Sequence, residues 1–195
     1  MDIQNGNETA FDGLFKSHYG KLVGFACQYT KQPECAEEIV SALFVKLWVK
    51  RETLSRVLRP EVYLYVSVKN ACLNLIRSNK KRTSLFLESE TDVQRDITGE
   101  GSSAMEDKEL RKLLDAAVAT LPEQRRMIFR LVKEDGLKPA AVAQILGLSK
   151  RTVENQLYKA IKTLAKAISD YLGYHPQSKA HKRRELVALS ALFFL

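Results

Sequence analysis

GLKPAAVAQILGLSKRTVENQLYKA, residues 136–160, is the stretch from which the architecture of this chain can be worked out. To be held out into a DNA major groove, one helix must be crossed steeply by another. The crossing needs a small residue, and the connection needs a tight turn. Ala143 is the small residue, Gly147 follows four residues later to make the turn, and Leu148 plugs it. Ser149 then offers a side-chain oxygen to cap the next helix. Advancing about 100° per residue, Val153, Leu157, Ala160, Ile161, Leu164 and Ile168 share one side of that helix. Arg151, Asn155, Tyr158 and Lys162 share the other, with Glu154 and Lys159 at its margins. Any surface helix has an apolar and a polar side, so periodicity alone does not select DNA. The Ala143–Gly147–Ser149 spacing in basic surroundings does. Lys150, Arg151, Glu154, Asn155, Tyr158, Lys159 and Lys162 are therefore the candidate duplex contacts. Arg and Lys suit guanine, Asn suits adenine, and Tyr stacks or touches the sugar-phosphate backbone.

Outward from this motif the pattern stays helical, and strand signals are nearly absent. The second half predicts helices over 108–119, 122–134, 139–146 and 150–172. Pro122 and Pro139 fall in first turns, and Gly136 and Gly147 fall at helix stops. In the first half, a helix from about Glu8 to Tyr29 carries the stripe Phe11, Leu14, Phe15, Leu22 and Phe25. A second opens at Pro33, with Ile39, Val40, Leu43, Phe44, Leu47 and Trp48 apolar. A third opens at Pro60 and runs to about Lys81. Residues 83–107 are rich in Ser, Thr, Gly and acidic side chains and lack periodicity, which predicts a flexible linker. The expected fold is all-α: two small helical domains, 8–82 and 108–173, joined by the acidic linker 83–107. The second is a helix-turn-helix four-helix domain. A basic and then apolar tail, 174–195, follows. Its apolar end, Leu186 to Leu195, is too short for a bilayer, which needs about 20 residues, so no stable membrane insertion is expected.

The net charge of +8 is unevenly distributed. Residues 1–82 hold 13 Lys and Arg against 8 Asp and Glu, and residues 108–173 hold 13 against 7. The segment 83–107 between them holds 1 against 7. Two basic blocks around an acidic one fit a polyanion with two contact surfaces. Cys27, Cys35 and Cys72 form no CxxC pair, and His18, His175 and His181 have no ligand-spaced neighbours. Reduced thiols in a reducing compartment fit better than a metal or redox site. No apolar signal segment stands at the N-terminus, so a cytoplasmic location is expected. No paired-carboxylate site, catalytic triad or phosphate-cradling glycine loop stands out, so neither an enzyme nor a cofactor is expected.

On the third helix, Tyr63, Ser67, Asn70, Asn74, Arg77 and Lys81 fall within about 40° of one line. Tyr65, Val68, Cys72, Leu75 and Ile76 lie away from it and can supply core. Such a stripe suits a single nucleic-acid strand, with stacking, amide contacts and cations for phosphate. A solvated face fits it equally well. On the second helix, Glu37, Glu38, Lys46, Lys50 and Arg51 surround Phe44, Leu47 and Trp48, an arrangement open to both core packing and a polar-rimmed interface.

The runs AEEIVSALFVKLWVKR (36–51), YLYVSVKNACLNLIR (63–77), LPEQRRMIF (121–129) and GLKPAAVAQILGLSKRTVENQLYKA (136–160) together resemble the extracytoplasmic-function sigma factors, small specificity subunits of bacterial RNA polymerase. The resemblance covers about residues 8–172. The LGLS turn and TVENQ helix are also similar to response-regulator helix-turn-helix domains, but those leave the N-terminal half unexplained. The apolar tail is similar to tails of Bacteroidetes-like members. The resemblance implies that the helix from Pro33 to Arg51 docks on the clamp of the polymerase large subunit, with Glu37, Glu38, Phe44 and Trp48 in or supporting that surface. It implies flipped-base capture by Thr53 to Pro60 and minus-ten contacts by the stripe around Asn70. Minus-thirty-five reading falls to Glu154, Asn155, Tyr158 and Lys159. It also implies contact with the polymerase flap, an acidic linker lying toward the RNA exit path, and an anti-sigma partner. Two positions depart from the family. Ala42 stands where an acidic residue is usual, and Lys138–Pro139 replaces a Ser cap, with proline's fixed φ substituting in part.

The function expected is promoter recognition for transcription initiation. One domain reads duplex DNA, and the other stabilises melted DNA, offsetting several kcal/mol of lost stacking. The competing reading is a stand-alone helix-turn-helix regulator on paired half-sites. Three fates fit the tail: a folded-back helix, an anti-sigma contact, or disorder.

Overall fold

A computed structural model describes residues 2–85 and 105–171 of the chain. Most of the acidic segment 83–107 and all of the tail 174–195 lie outside the described residues. The chain divides into two compact units, and the described residues contain no strand. No helix among them is long and apolar enough to cross a membrane.

The N-terminal unit begins with a short 3-10 turn, Asp2–Asn5, and is built on three helices: α1 (Glu8–Thr30), α2 (Pro33–Val49) and α3 (Pro60–Leu85). Each start has a local cause. Asn7 Oδ1 accepts from the Ala10 N–H at 3.0 Å and caps α1. Pro33 and Pro60 occupy first helical positions, where a missing N–H costs nothing. At its end α1 turns through Lys31, whose left-handed φ of 56° lets its N–H reach the Cys27 carbonyl. The three helices pack on one another around Leu22, Phe25, Val40, Phe44, Leu47 and Leu64, with Tyr65, Val68 and Cys72 closing the α3 side. Phe25 meets Tyr65 edge to face at 5.1 Å. The apolar stripes expected for α1 and α2 thus divide. Their central members are buried, while Phe11, Leu14, Phe15, Ile39, Leu43 and Trp48 remain partly open.

The second half of the chain carries α4 (Met105–Ala119), α5 (Glu123–Phe129), α6 (Pro139–Leu146) and α7 (Lys150–Tyr171), all but the end of α6 belonging to the C-terminal unit. Val118, Leu121, Phe129, Ala160 and Leu164 form one buried cluster, with Leu114, Leu157 and Ala167 packed against it. Three expectations need correction. The single helix over 122–134 is instead α5 followed by a π-wound turn, Arg130–Glu134, in which the Asp135 N–H bonds the Arg130 carbonyl five residues back. Pro122 is also not the first helical residue. Its ψ of 141° is extended, and its carbonyl accepts from Arg126, which makes it the N-cap. The expected limits near 81 and 108 shift outward too, α3 running to Leu85 and α4 starting at Met105, because no Pro or Gly interrupts either stretch.

Two glycines should respond oppositely to alanine. Gly147 has a φ of +72° with no atom near its missing Cβ, so Gly147→Ala should cost about 1–2 kcal/mol through backbone strain alone. Gly20 lies inside α1, also in open space, and Gly20→Ala should stabilise by about 0.5–1 kcal/mol. Urea denaturation of the two variants checks both signs.

Candidate nucleic-acid interface

The α6–α7 corner is set by local chemistry. Gly147 takes the left-handed conformation, and the Leu148 N–H returns to the Ala143 carbonyl at 2.9 Å, closing the last turn of α6. Ala143 is 7% exposed, as expected of a small residue at a close helix crossing. Ser149 Oγ accepts from the Thr152 N–H at 3.0 Å, so the expected N-cap of α7 is present. Pro139 stands first in α6, and the Lys138 carbonyl accepts from Ala141 and Val142.

The corner fixes how α7 is rotated. Val153, Ala160 and Leu164 are completely buried, and Leu157, Ile161 and Ile168 are partly so. On the opposite side Lys150, Arg151, Glu154, Asn155, Tyr158, Lys159 and Lys162 are all exposed. Lys150 Nζ lies 3.4 Å from Glu154 Oε1 across one turn, in solvent. This face offers two kinds of chemistry: amide and carboxylate groups suited to base edges, and at least four cations suited to phosphate.

On α3, Tyr63, Asn70, Asn74 and Arg77 are exposed and Ser67 is half-buried, while the side chain of Lys81 lies outside the described residues. Arg77 Nη1 donates to Asn74 Oδ1 at 3.2 Å, so two members of the stripe are already tied together. Ahead of α3, residues Arg51–Arg56 form a 3-10 turn, followed by Leu58 at 95% exposure. Tyr63 also borders an apolar cavity of about 300 Å³ lined by Leu14, Leu47, Leu54, Val57 and Leu64.

Of the residues expected on the docking surface of α2, Glu37 and Glu38 are exposed. Trp48 is half-buried, 4.9 Å from the Phe11 ring and beneath the Arg51 guanidinium at 5.0 Å. Phe44 is only 3% exposed, with Phe15 against it at 4.9 Å. It therefore lies beneath the exposed face of α2 and is not part of it. The sequence reading missed Val45 and Val49, which are 65% and 69% exposed and line a groove with Phe11, Phe15 and Trp48. The available signal was their place off the buried i, i+4 stripe. Burial pushes the Cys72 thiol up to about 11, and burial followed by the carboxylates of Glu37 and Glu34 raises Cys27. Both are thereby kept protonated and weakly nucleophilic.

Two family descriptions match the chain: sigma-70 region 2 over residues 14–82, and sigma-70 region 4 over residues 111–164. Curated relatives align over most of the chain. The ferric citrate uptake sigma factor FecI of Escherichia coli K12 is 26% identical over 156 residues, 78% of this chain and 87% of that protein. The ECF RNA polymerase sigma factor SigL of Mycobacterium tuberculosis is 24% identical, over 77% of this chain and 84% of its own. The chain belongs to the extracytoplasmic-function sigma factors. The ECF sigma factor SigW of Bacillus subtilis, at 20% identity, is covered over 94% of its length. In fold, the protein is similar to the sigma factor RpoE of Bartonella quintana, solved with the anti-sigma factor NepR. The TM-score is 0.58 and the identity 17%, over 82% of this chain and 97% of that one. The region 2 match accounts for α1–α3 of this sigma factor, which a stand-alone helix-turn-helix regulator would leave without a role.

The exposed Lys150–Glu154 pair should contribute little to folding. Glu154→Gln is expected to shift unfolding free energy by less than about 0.5 kcal/mol, as measured by denaturant titration. A change in DNA binding by this variant then reports contact with DNA.

Proposed function

We propose that three faces of this sigma factor divide the work of initiation: α2 docks on core RNA polymerase, α3 holds melted minus-ten DNA, and α7 reads the minus-thirty-five duplex. The protein directs RNA polymerase to promoters, and sigma factors are not themselves enzymes. The observation that carries the assignment is the rotation of α7. Every one of its seven candidate contacts is exposed, while its apolar root is locked in the core.

Glu37, Glu38 and Trp48, with Phe44 beneath them, are the polymerase-docking residues, and Val45 and Val49 add apolar area beside them. Their partner is the clamp of the large subunit, while the C-terminal domain meets the flap. With Ala42 at a usually acidic position, docking depends more on that apolar area. Tyr63, Ser67, Asn70, Asn74, Arg77 and Lys81 contact the separated strand, and the exposed Leu58 segment receives a flipped base. The domains so assigned are 8–82 and 108–173, with the acidic segment 83–107 directed to the RNA exit path. An anti-sigma factor restrains the protein in the cytoplasm until a signal releases it.

Run-off transcription with core polymerase and a library of genomic fragments tests the reading. Promoter-dependent transcripts are expected, and their absence across the library would sink it. On a promoter recovered this way, Asn155→Ala should weaken minus-thirty-five discrimination by about 1–3 kcal/mol. Asn70→Ala should impair open-complex formation, followed by permanganate reactivity, and leave duplex binding by α7 intact. Val49→Asp should reduce core association at least about tenfold, near 1.4 kcal/mol, in a fluorescence titration.

A further inference from the structure

Arg125, on α5, donates from Nε to Gln156 Oε1 on α7 at 3.1 Å, with both side chains half-buried. Gln156 lies between the outer face of α7 and its buried side. Thr152 is four residues before it and Lys159 three after, so both are its neighbours on the helix surface. The bond therefore holds a guanidinium from a second helix beside the Lys159 margin of the duplex-contacting face.

A guanidinium has five N–H donors in a rigid fork. Gln156 takes one of those on Arg125, and no carboxylate or carbonyl among the described residues takes the others. The neighbouring arginines differ. Arg126 Nη1 donates to the Ala119 carbonyl at 3.0 Å, and Arg130 lies 3.7 Å from Glu134. Arg126 Nε is itself buried without a hydrogen-bond partner, so what sets Arg125 apart is its link to α7. A half-buried permanent cation without an anionic partner carries a desolvation cost, which an external anion would offset. Engaging Nε also fixes the guanidinium plane and leaves the terminal NH2 groups arranged to grip two oxygens of one anion.

We propose that Arg125 is both a positioning residue and a phosphate contact. Through Gln156 it braces the margin of α7, whose rotation the α6–α7 corner sets, and with its terminal NH2 groups it binds a backbone phosphate of the duplex that α7 reads. This rests on the assignment of α7 as the duplex-reading helix.

The test uses reconstituted holoenzyme and a promoter duplex recovered by run-off transcription, with affinity measured by fluorescence anisotropy between 50 and 200 mM salt. Arg125→Gln keeps a donor for Gln156 and removes the charge. It should weaken binding to wild-type and altered minus-thirty-five sequences alike. The slope of log affinity against log salt should become shallower by about 0.9, equivalent to about 3.5-fold less loss over the fourfold salt range. Arg125→Lys should restore the slope but only part of the affinity, because an ammonium lacks the fork. Gln156→Ala should keep the wild-type slope and lose part of the minus-thirty-five discrimination, as α7 then has one attachment fewer beside its contact face. Thermal melts of the variants show whether the domain remains folded, and loss of fold alone would not change the slope selectively. A wild-type slope in Arg125→Gln, with Asn155→Ala still losing discrimination, overturns the phosphate contact and leaves the reading of α7 standing. Unchanged discrimination in Asn155→Ala overturns both.

Discussion

The return of the Leu148 N–H to the Ala143 carbonyl, through a left-handed Gly147, is the constraint on which the placing of α7 depends. It ends α6 within one residue and reverses the chain where Ser149 can cap α7. Because α7 starts there, its rotation is no longer free. Val153, Ala160 and Leu164 must enter the core, and the helical repeat of about 3.6 residues then places Arg151, Asn155, Tyr158 and Lys162 outside. A polar face can engage a fixed target at one angle only, and burial of the opposite face supplies that angle. The Arg125–Gln156 bond adds a second point of attachment at the margin of that face.

The N-terminal unit uses the same principle without a tight corner. Three longer helices share a core of aliphatic and aromatic side chains, and each keeps a distinct outer face. On α3 that face is polar and carries amides beside cations, chemistry that tolerates strands of varied sequence. On α2 it is mixed, with carboxylates at one end and exposed valines beside a half-open tryptophan at the other. Exposed apolar area of this kind is costly to leave in water and profitable to cover, which suits a subunit that works only when bound to a larger assembly.

Much of this was legible in the sequence, and for identifiable reasons. Proline at Pro33, Pro60 and Pro139, glycine at Gly136 and Gly147, and the serine at Ser149 act locally, so their effects follow from residue type. The two sides of α7 followed from its strong periodicity. What escaped was non-local. Whether Phe44 is covered depends on Phe11 and Phe15 from another helix, and Val45 and Val49 are open because α1 leaves that side of α2 uncovered. The π-wound turn over Arg130–Glu134 was missed because a single widened turn at a helix end is too short to show a period of its own. The Arg125–Gln156 contact joins residues 31 apart and has no sequence signature.

The proposed division of labour between α3 and α7 can be followed directly by crosslinking. A photoreactive phenylalanine analogue replaces Tyr63 or Tyr158, both exposed, in holoenzyme bound to a promoter labelled on each strand. The expected result is that position 158 crosslinks the upstream duplex before and after melting. Position 63 should crosslink a single strand near minus ten, and only once the promoter has opened. Crosslinking of both positions to the same DNA segment, or of position 63 to closed duplex with equal efficiency, would contradict it.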